Sequence, residues 1–216
     1  MRVFNRITVI DKKNASELGR PWILMSNHVT LLDDLFLGPI VLFPKALKGY
    51  EWLPFHAPEE RNFYKNFLAA SIMRLTKSIP LIRGKGIWQE GVGRLIEAVR
   101  DGGILHIYPE GTRTRTGKIG EPKVGIGRIV YESGAPVVPM YHRGLEKILP
   151  IGTVVPRIFH HVYASVGEPI YFDEELKLPN TPDTWRLIVE KIMKGIYAER
   201  DRLSAMLDAK EETKAV

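Results

Sequence analysis

His28 and Asp33 stand five residues apart in Asn27-His28-Val29-Thr30-Leu31-Leu32-Asp33, an imidazole and a carboxylate whose pairing could move a proton. On one continuous α-helix, residues five apart lie about 140° apart around the axis and would not meet. The flanking residues predict a different placement. Trp22 to Met25 is an apolar run that reads as a strand emptying into a loop, and Leu35 to Val41 reads as the start of a buried helix. With His28 in the loop and Asp33 in the first helical turn, the two side chains converge. The carboxylate then fixes the tautomer through one ring nitrogen and leaves the other as a base. The same spacing also fits a structural loop histidine beside a helix-capping aspartate.

A second segment carries chemistry of another kind. Gly103 to Tyr108 is a short apolar strand pattern that runs directly into Pro109-Glu110-Gly111-Thr112-Arg113. Glycine lets backbone approach a ligand closely, and an arginine behind it offers a planar fork for a phosphate. A surface turn with solvated charges would look similar. Two such loops, each following a strand, point to one site, because ligands in α/β proteins gather at the carboxyl ends of strands. Nucleotide binding does not fit, since Arg83-Gly84-Lys85-Gly86 lacks the spacing of a phosphate-binding P-loop.

Read in order, these motifs resemble the glycerolipid acyltransferase family, which includes lysophosphatidate acyltransferases and tafazzins. The N-H-x4-D motif of that family matches Asn27, His28 and Asp33, and its [FY]-P-E-G-T-R motif matches Tyr108 through Arg113. Ile79-Pro80-Leu81-Ile82-Arg83 fits the family's intervening strand ending in arginine, and Val137-Val138-Pro139 fits its apolar V-P step. Four motifs in order across about 115 residues form a specific signal. Asp33-Asp34, Gly84 through Gly91, Val124 through Arg128 and Pro139 through Gly144, followed by Ile148-Leu149-Pro150, look more like tafazzin. Thr112-Arg113 after Glu110-Gly111 is instead the lysophosphatidate acyltransferase form, so the acceptor stays open between the two.

The resemblance implies a chemistry and a set of roles. His28 would deprotonate the free hydroxyl of a lysophospholipid as that oxygen attacks an acyl carbonyl, and Asp33 would hold the imidazole. Arg83 and Arg113 would bind lipid phosphate, while Glu110, Gly111, Thr112 and Pro139 would shape the substrate site. The donor would be acyl-CoA, acyl carrier protein or another phospholipid, with no metal and no redox cofactor. Two other classes compete. A lipid hydrolase could use Ser26, but there is no G-x-S-x-G elbow. A silent lipid-binding module would have no need of His28 with Asp33.

The elements that must position these residues alternate along the chain. Strands are predicted at Ile7–Ile10, Trp22–Met25, Ser78–Ile82, Gly103–Tyr108, Pro136–Tyr141 and Ile158–Val166. Helices are predicted at Leu32–Leu42, Arg61–Leu75, Ile87–Arg100, Val124–Ser133 and Thr184–Leu207. In the third of these, Trp88, Val92, Leu95, Ile96 and Val99 keep helical spacing, and Asp101-Gly102 is the stop. In the last, Trp185, Ile188, Val189, Ile192, Ile196 and Leu203 form a stripe for packing or for a partner helix. Such alternation predicts an α/β fold, and the resemblance specifies a single domain with a central mixed, mostly parallel sheet flanked by helices. The domain is expected over 1–209, with 210–216 a disordered tail.

Composition narrows the partners. A chain of 216 residues, 44% hydrophobic, can bury one sizeable core. With no cysteine, disulfides, thiol nucleophiles and thiolate metal sites are excluded. The net charge of +6 suits an anionic membrane surface, or simply solubility, and the scattered basic residues match no nucleic-acid reading module. The first ten residues lack a secretory h-region, and Leu35 to Phe43 is about half the length that spans a bilayer. Membrane association is therefore expected to be peripheral or monotopic, on the cytoplasmic side. Phe36, Trp52 and Phe55, among Phe43, Tyr50, Lys45 and Lys48, are the candidates for membrane contact. The apolar residues of Arg61–Leu75, from Phe63 to Met73, form a second candidate region.

Overall fold

The computed structural model describes residues 5–59, 75–153 and 155–215. Five strands, β1 (Arg6–Ile10), β2 (Trp22–Ser26), β3 (Ile104–Ile107), β4 (Val137–Arg143) and β5 (His161–Val166), form one sheet in the order β1-β5-β4-β2-β3. Three of the four pairings are parallel, and β4 with β5 is antiparallel. The sheet is thus mixed and mostly parallel, as expected. Beyond β3 the described residues add single bridges, Phe55 to Leu105, His56 to Ser78 and Glu59 to Leu81. The strand predicted over Ser78–Ile82 is reduced to this edge, where Pro80 removes a ladder donor.

Side chains alternate across the strands and feed two cores. Ile23, Met25, Leu105, Ile107 and Val137 face α3 (Glu90–Arg100), α4 (Gly125–Ser133) and α6 (Pro182–Ala215). Trp22, Leu24, Ile104, Val138 and Met140 face α1 (Lys13–Ser16), α2 (Leu32–Leu42) and α5 (Leu145–Ile148). Each fully buried Leu, Ile or Met contributes about 1.5–3 kcal/mol. The α6 stripe from Trp185 to Ile196 is a packing surface against the first of these cores. α4 and α6 approach closely at Gly127, where a Cβ would stand 2.2 Å from the Trp185 carbonyl oxygen.

Helix boundaries follow local chemistry. α2 ends at Leu42 because Pro44 forces Phe43 into extended backbone. α3 begins at Glu90 rather than Ile87: Gln89 stays extended while its amide bonds the backbone of Ile82 and Gly86. α6 starts at Pro182, a residue suited to a first turn, and runs to Ala215. Residues 210–215, for which a disordered tail was expected, are therefore helical. β5 begins at His161 rather than Ile158, with Ile158 and Phe159 exposed ahead of it. The helix predicted over Arg61–Leu75 lies outside the described residues, apart from Leu75.

Candidate active site

β2 and β3 run parallel and end side by side, and the chain leaving β2 enters α2 within six residues. His28 lies in that loop and Asp33 in the first turn of α2. The His28 Nδ1–H donates to Asp33 Oδ2 at 2.8 Å. The same carboxylate oxygen accepts the backbone N–H groups of Val29 at 2.7 Å and Thr30 at 3.0 Å. Asp33 is 0% exposed, whereas the His28 side chain is 14% exposed. One carboxylate therefore bends the loop and sets the ring tautomer, leaving His28 Nε2 as the basic nitrogen. The convergence expected from the His-x4-Asp spacing is realised.

Three further contacts hold His28. Its ring stacks on Tyr108 with centroids 3.8 Å apart and planes 10° from parallel. Its backbone N–H donates to Glu110 Oε1 at 3.0 Å, and its carbonyl accepts the Thr114 N–H at 2.8 Å. Glu110 Oε2 in turn accepts the Gly120 N–H at 2.7 Å. Glu110 is buried by these contacts, so it braces the base and the 110–120 loop rather than lining an open pocket. Gly111, at φ +63°, makes the turn that this requires, a conformation in which a Cβ is strained.

The remaining residues singled out from the sequence divide by exposure. Arg113 is half-buried on the loop tied to His28 by Thr114, and Thr112 is exposed. Arg83 has a side chain 65% exposed, 3.9 Å from Glu59. Pro139 is buried in β4 and faces Gly195 of α6, so it is a packing residue and not part of an open site. Ser26, the hydroxyl nearest to a hydrolase nucleophile, is buried and donates to the Asn27 carbonyl. Phe55 packs on the core beside β3, and Trp52 packs on the other core under Lys45 and Arg20. All three aromatics, Phe36, Trp52 and Phe55, are half-buried.

Sequence reasoning missed a second tier behind the dyad. Asp34 accepts the Tyr108 hydroxyl at 2.7 Å and lies 3.2 Å from His56 Nδ1. Burial pushes its carboxyl up, but His56, His106 and Tyr108 outweigh this and hold it at about 2. The Tyr108 hydroxyl is pushed well above its ordinary value by burial and by both aspartates. His106, fully buried beneath it, is held down at about 3 chiefly by burial, and is neutral. Asn27 clamps β2 to β4, with its amide bonding both the N–H and the carbonyl of His142. The available signal was period two: His106 and Tyr108 must share a face, and Ser26 and His28 lead off the adjacent strand.

Comparison with known proteins places the chain in a family. The acyltransferase family model matches residues 6–143. A protein of Dictyostelium discoideum named taffazin is 33% identical over 175 residues, covering 78% of this chain and 60% of that one. An N-acylphosphatidylethanolamine synthase of Arabidopsis thaliana is 31% identical over 191 residues, covering 79% and 63%. The chain thus spans about three-fifths of the length of these two relatives. The crystal structure of a 1-acyl-sn-glycerophosphate acyltransferase from Thermotoga maritima shares the fold, with a TM-score of 0.65 at 21% identity, covering 91% of this chain and 72% of that one. The family match contains the His28–Asp33 pair, the Glu110 brace and the strands that carry them, and on that ground the chain belongs to the acyltransferase family.

Proposed function

We propose that the protein transfers a fatty acyl chain onto the free hydroxyl of a lysophospholipid, with His28 as general base and Asp33 as its orienting carboxylate. The observation that carries this reading is the 2.8 Å contact between His28 and a fully buried carboxylate that also holds two loop amides. His28 Nε2 takes the hydroxyl proton as the oxygen attacks the acyl carbonyl carbon, and the carbonyl electron pair moves to its oxygen. Collapse re-forms the carbonyl and breaks its bond to the donor's sulfur or oxygen. The imidazolium returns its proton to that leaving group, and Asp33 stays ionised throughout. The acceptor hydroxyl is the nucleophile, so no acyl-enzyme forms.

Acceptor binding is assigned to the loop that follows Glu110. Arg113, with Arg115, Lys118 and Lys123, stands on a loop bonded to the His28 carbonyl, which suits a phosphate held beside the attacking hydroxyl. Arg83 is a second phosphate ligand. The donor is acyl-CoA, acyl carrier protein or a second phospholipid.

Contact with a membrane surface follows from the same substrate. Among the described residues no helix is long and apolar enough to cross a bilayer. The loop between α5 and β5 instead exposes Ile151, Val155, Ile158 and Phe159, the last two at 48% and 81%, beside Arg157. Its root is fixed to the site, because Leu149 accepts the Thr30 hydroxyl at 3.0 Å. Apolar side chains beside a cation match a headgroup boundary, and this loop is the more exposed candidate for the contact.

The test is direct. Purified protein is incubated with labelled lysophospholipids in vesicles, with acyl-CoA, with acyl carrier protein thioester, or with diacyl phospholipid alone. Diacyl product with any donor, lost in a folded His28→Ala variant by about 10²–10⁴-fold, supports the reading. No product with any donor, or an unchanged rate in the variant, overturns it.

A further inference from the structure

Asp34 of α2, His56 of the segment beside β3, and His106 of β3 each offer one ligand atom, all within 4.8 Å of one another. Asp34 Oδ1 and His56 Nδ1 are 3.2 Å apart. Two ligands of a tetrahedral zinc ion, each about 2.0 Å from the metal, stand roughly 3.3 Å apart. The observed separation is that of two coordinating atoms as much as of a hydrogen bond.

The protons tell the same story. The Ser26 hydroxyl donates to the Asn27 carbonyl at 3.2 Å, so in its 3.1 Å contact with His106 Nε2 the ring is the donor. His106 Nδ1 is then left with a lone pair. It is buried without a hydrogen-bond partner among the described residues, and so is His56 Nδ1. Buried polar atoms are nearly always satisfied, and two unsatisfied ring nitrogens in one cluster with a carboxylate call for a common partner.

We propose that Asp34, His56 and His106 bind a divalent transition-metal cation of the zinc class, with three protein ligands and a fourth position open to water or an anion. Imidazole and carboxylate together suit zinc, whereas magnesium and calcium take oxygen ligands. Ser26 holds the second nitrogen of His106, the outer contact by which metal-bound imidazoles are oriented. The absence of cysteine argued only against thiolate sites, and this ligand set is dispersed along the chain. Asp34 also accepts the Tyr108 hydroxyl, and Tyr108 stacks on His28, so the ion would pin the ring beneath the base. The inference does not depend on acyl transfer.

Tag-free protein is stripped with chelator, dialysed against low-micromolar zinc chloride, and its metal content measured by mass spectrometry alongside the melting temperature. We expect one zinc per chain, a raised melting temperature, and an X-ray absorption spectrum with nitrogen and oxygen ligands only. His56→Gln and Asp34→Asn should each remove the bound equivalent and the thermal shift, while His160→Gln keeps both. Folded wild-type protein that holds no zinc overturns the site. So does one equivalent retained by folded His56→Gln, which decides alone should Asp34→Asn fail to fold.

Discussion

Asp33→Asn isolates the work of the buried carboxylate, because the amide is nearly the same shape. With its oxygen in the place of Oδ2, the asparagine can still accept from His28, Val29 and Thr30. Each bond then changes from a charged acceptor, worth about 1.5–3 kcal/mol, to a neutral one near 1 kcal/mol. The new amide NH₂ would replace Oδ1, which is buried with no partner among the described residues. Relief of a buried charge offsets part of this, so the variant should lose about 1–3 kcal/mol and remain folded. Turnover should suffer more. At 2.8 Å and an effective dielectric of about 20, a carboxylate stabilises an imidazolium by roughly 6 kcal/mol, near a 10⁴-fold ceiling on rate. The amide dipole returns some of that, leaving an expected loss in kcat of about 10²–10⁴-fold. Initial rates of diacyl product, with melting curves for each protein, make the measurement. If His28 and Asp33 act as a unit, the double variant should be about as slow as His28→Ala alone. A rate within threefold of wild type for folded Asp33→Asn, or fully additive losses in the double variant, would refute the dyad.

Glu110→Gln leaves one of the two N–H groups on Glu110, from His28 or Gly120, facing an amide NH₂; we expect about 1–3 kcal/mol of lost stability in denaturant unfolding, and an unchanged midpoint would remove Glu110 from its bracing role. Gly127→Ala must push apart α4 and α6 where the Trp185 carbonyl sits 2.2 Å from the added methyl, costing about 1–3 kcal/mol, or roughly 2–4 °C in melting temperature per kcal/mol; no change would mean the helices are not in such close contact. Raised salt should reduce liposome flotation without abolishing it, because screening acts on the cations alone, and Ile158→Ser with Phe159→Ser should remove the salt-resistant remainder. Flotation indifferent to that double substitution would place the membrane face elsewhere.

Much of the positioning machinery was legible because it rests on periodicity and local punctuation. The apolar run from Trp22 and the His-x4-Asp spacing were enough to put His28 in a loop and Asp33 at the head of α2, whose span Leu32–Leu42 matches the prediction. Alternation of strands and helices gave the class of fold. Less legible was anything set by contacts distant in sequence. Pro139 and Glu110 read as substrate residues because they sit in motifs, yet one packs against α6 and the other is consumed by two backbone amides. Trp52 and Phe55 carry an interfacial composition, but tertiary packing turns them inward. The exposed loop from Ile151 to Phe159 was assigned in part to a strand, since β-branched and aromatic residues look alike in a strand and on a protruding loop.

Asp34 shows the limit most clearly. Neighbouring residues on a helix point about 100° apart, and that angle is what lets one helical turn address two imidazole systems. Asp33 turns back to His28 in its own loop, while Asp34 reaches across to the strand-borne Tyr108 and to His56. The two systems meet in Tyr108, which lies face to face with His28 and hydrogen-bonds Asp34. The base is therefore held in its plane by a ring whose own hydroxyl is anchored by the second carboxylate. A change at Asp34 can reach His28 through that ring. It follows that Asp34 is a positioning residue, and that its removal should loosen the base where removal of Asp33 leaves it without its counter-charge.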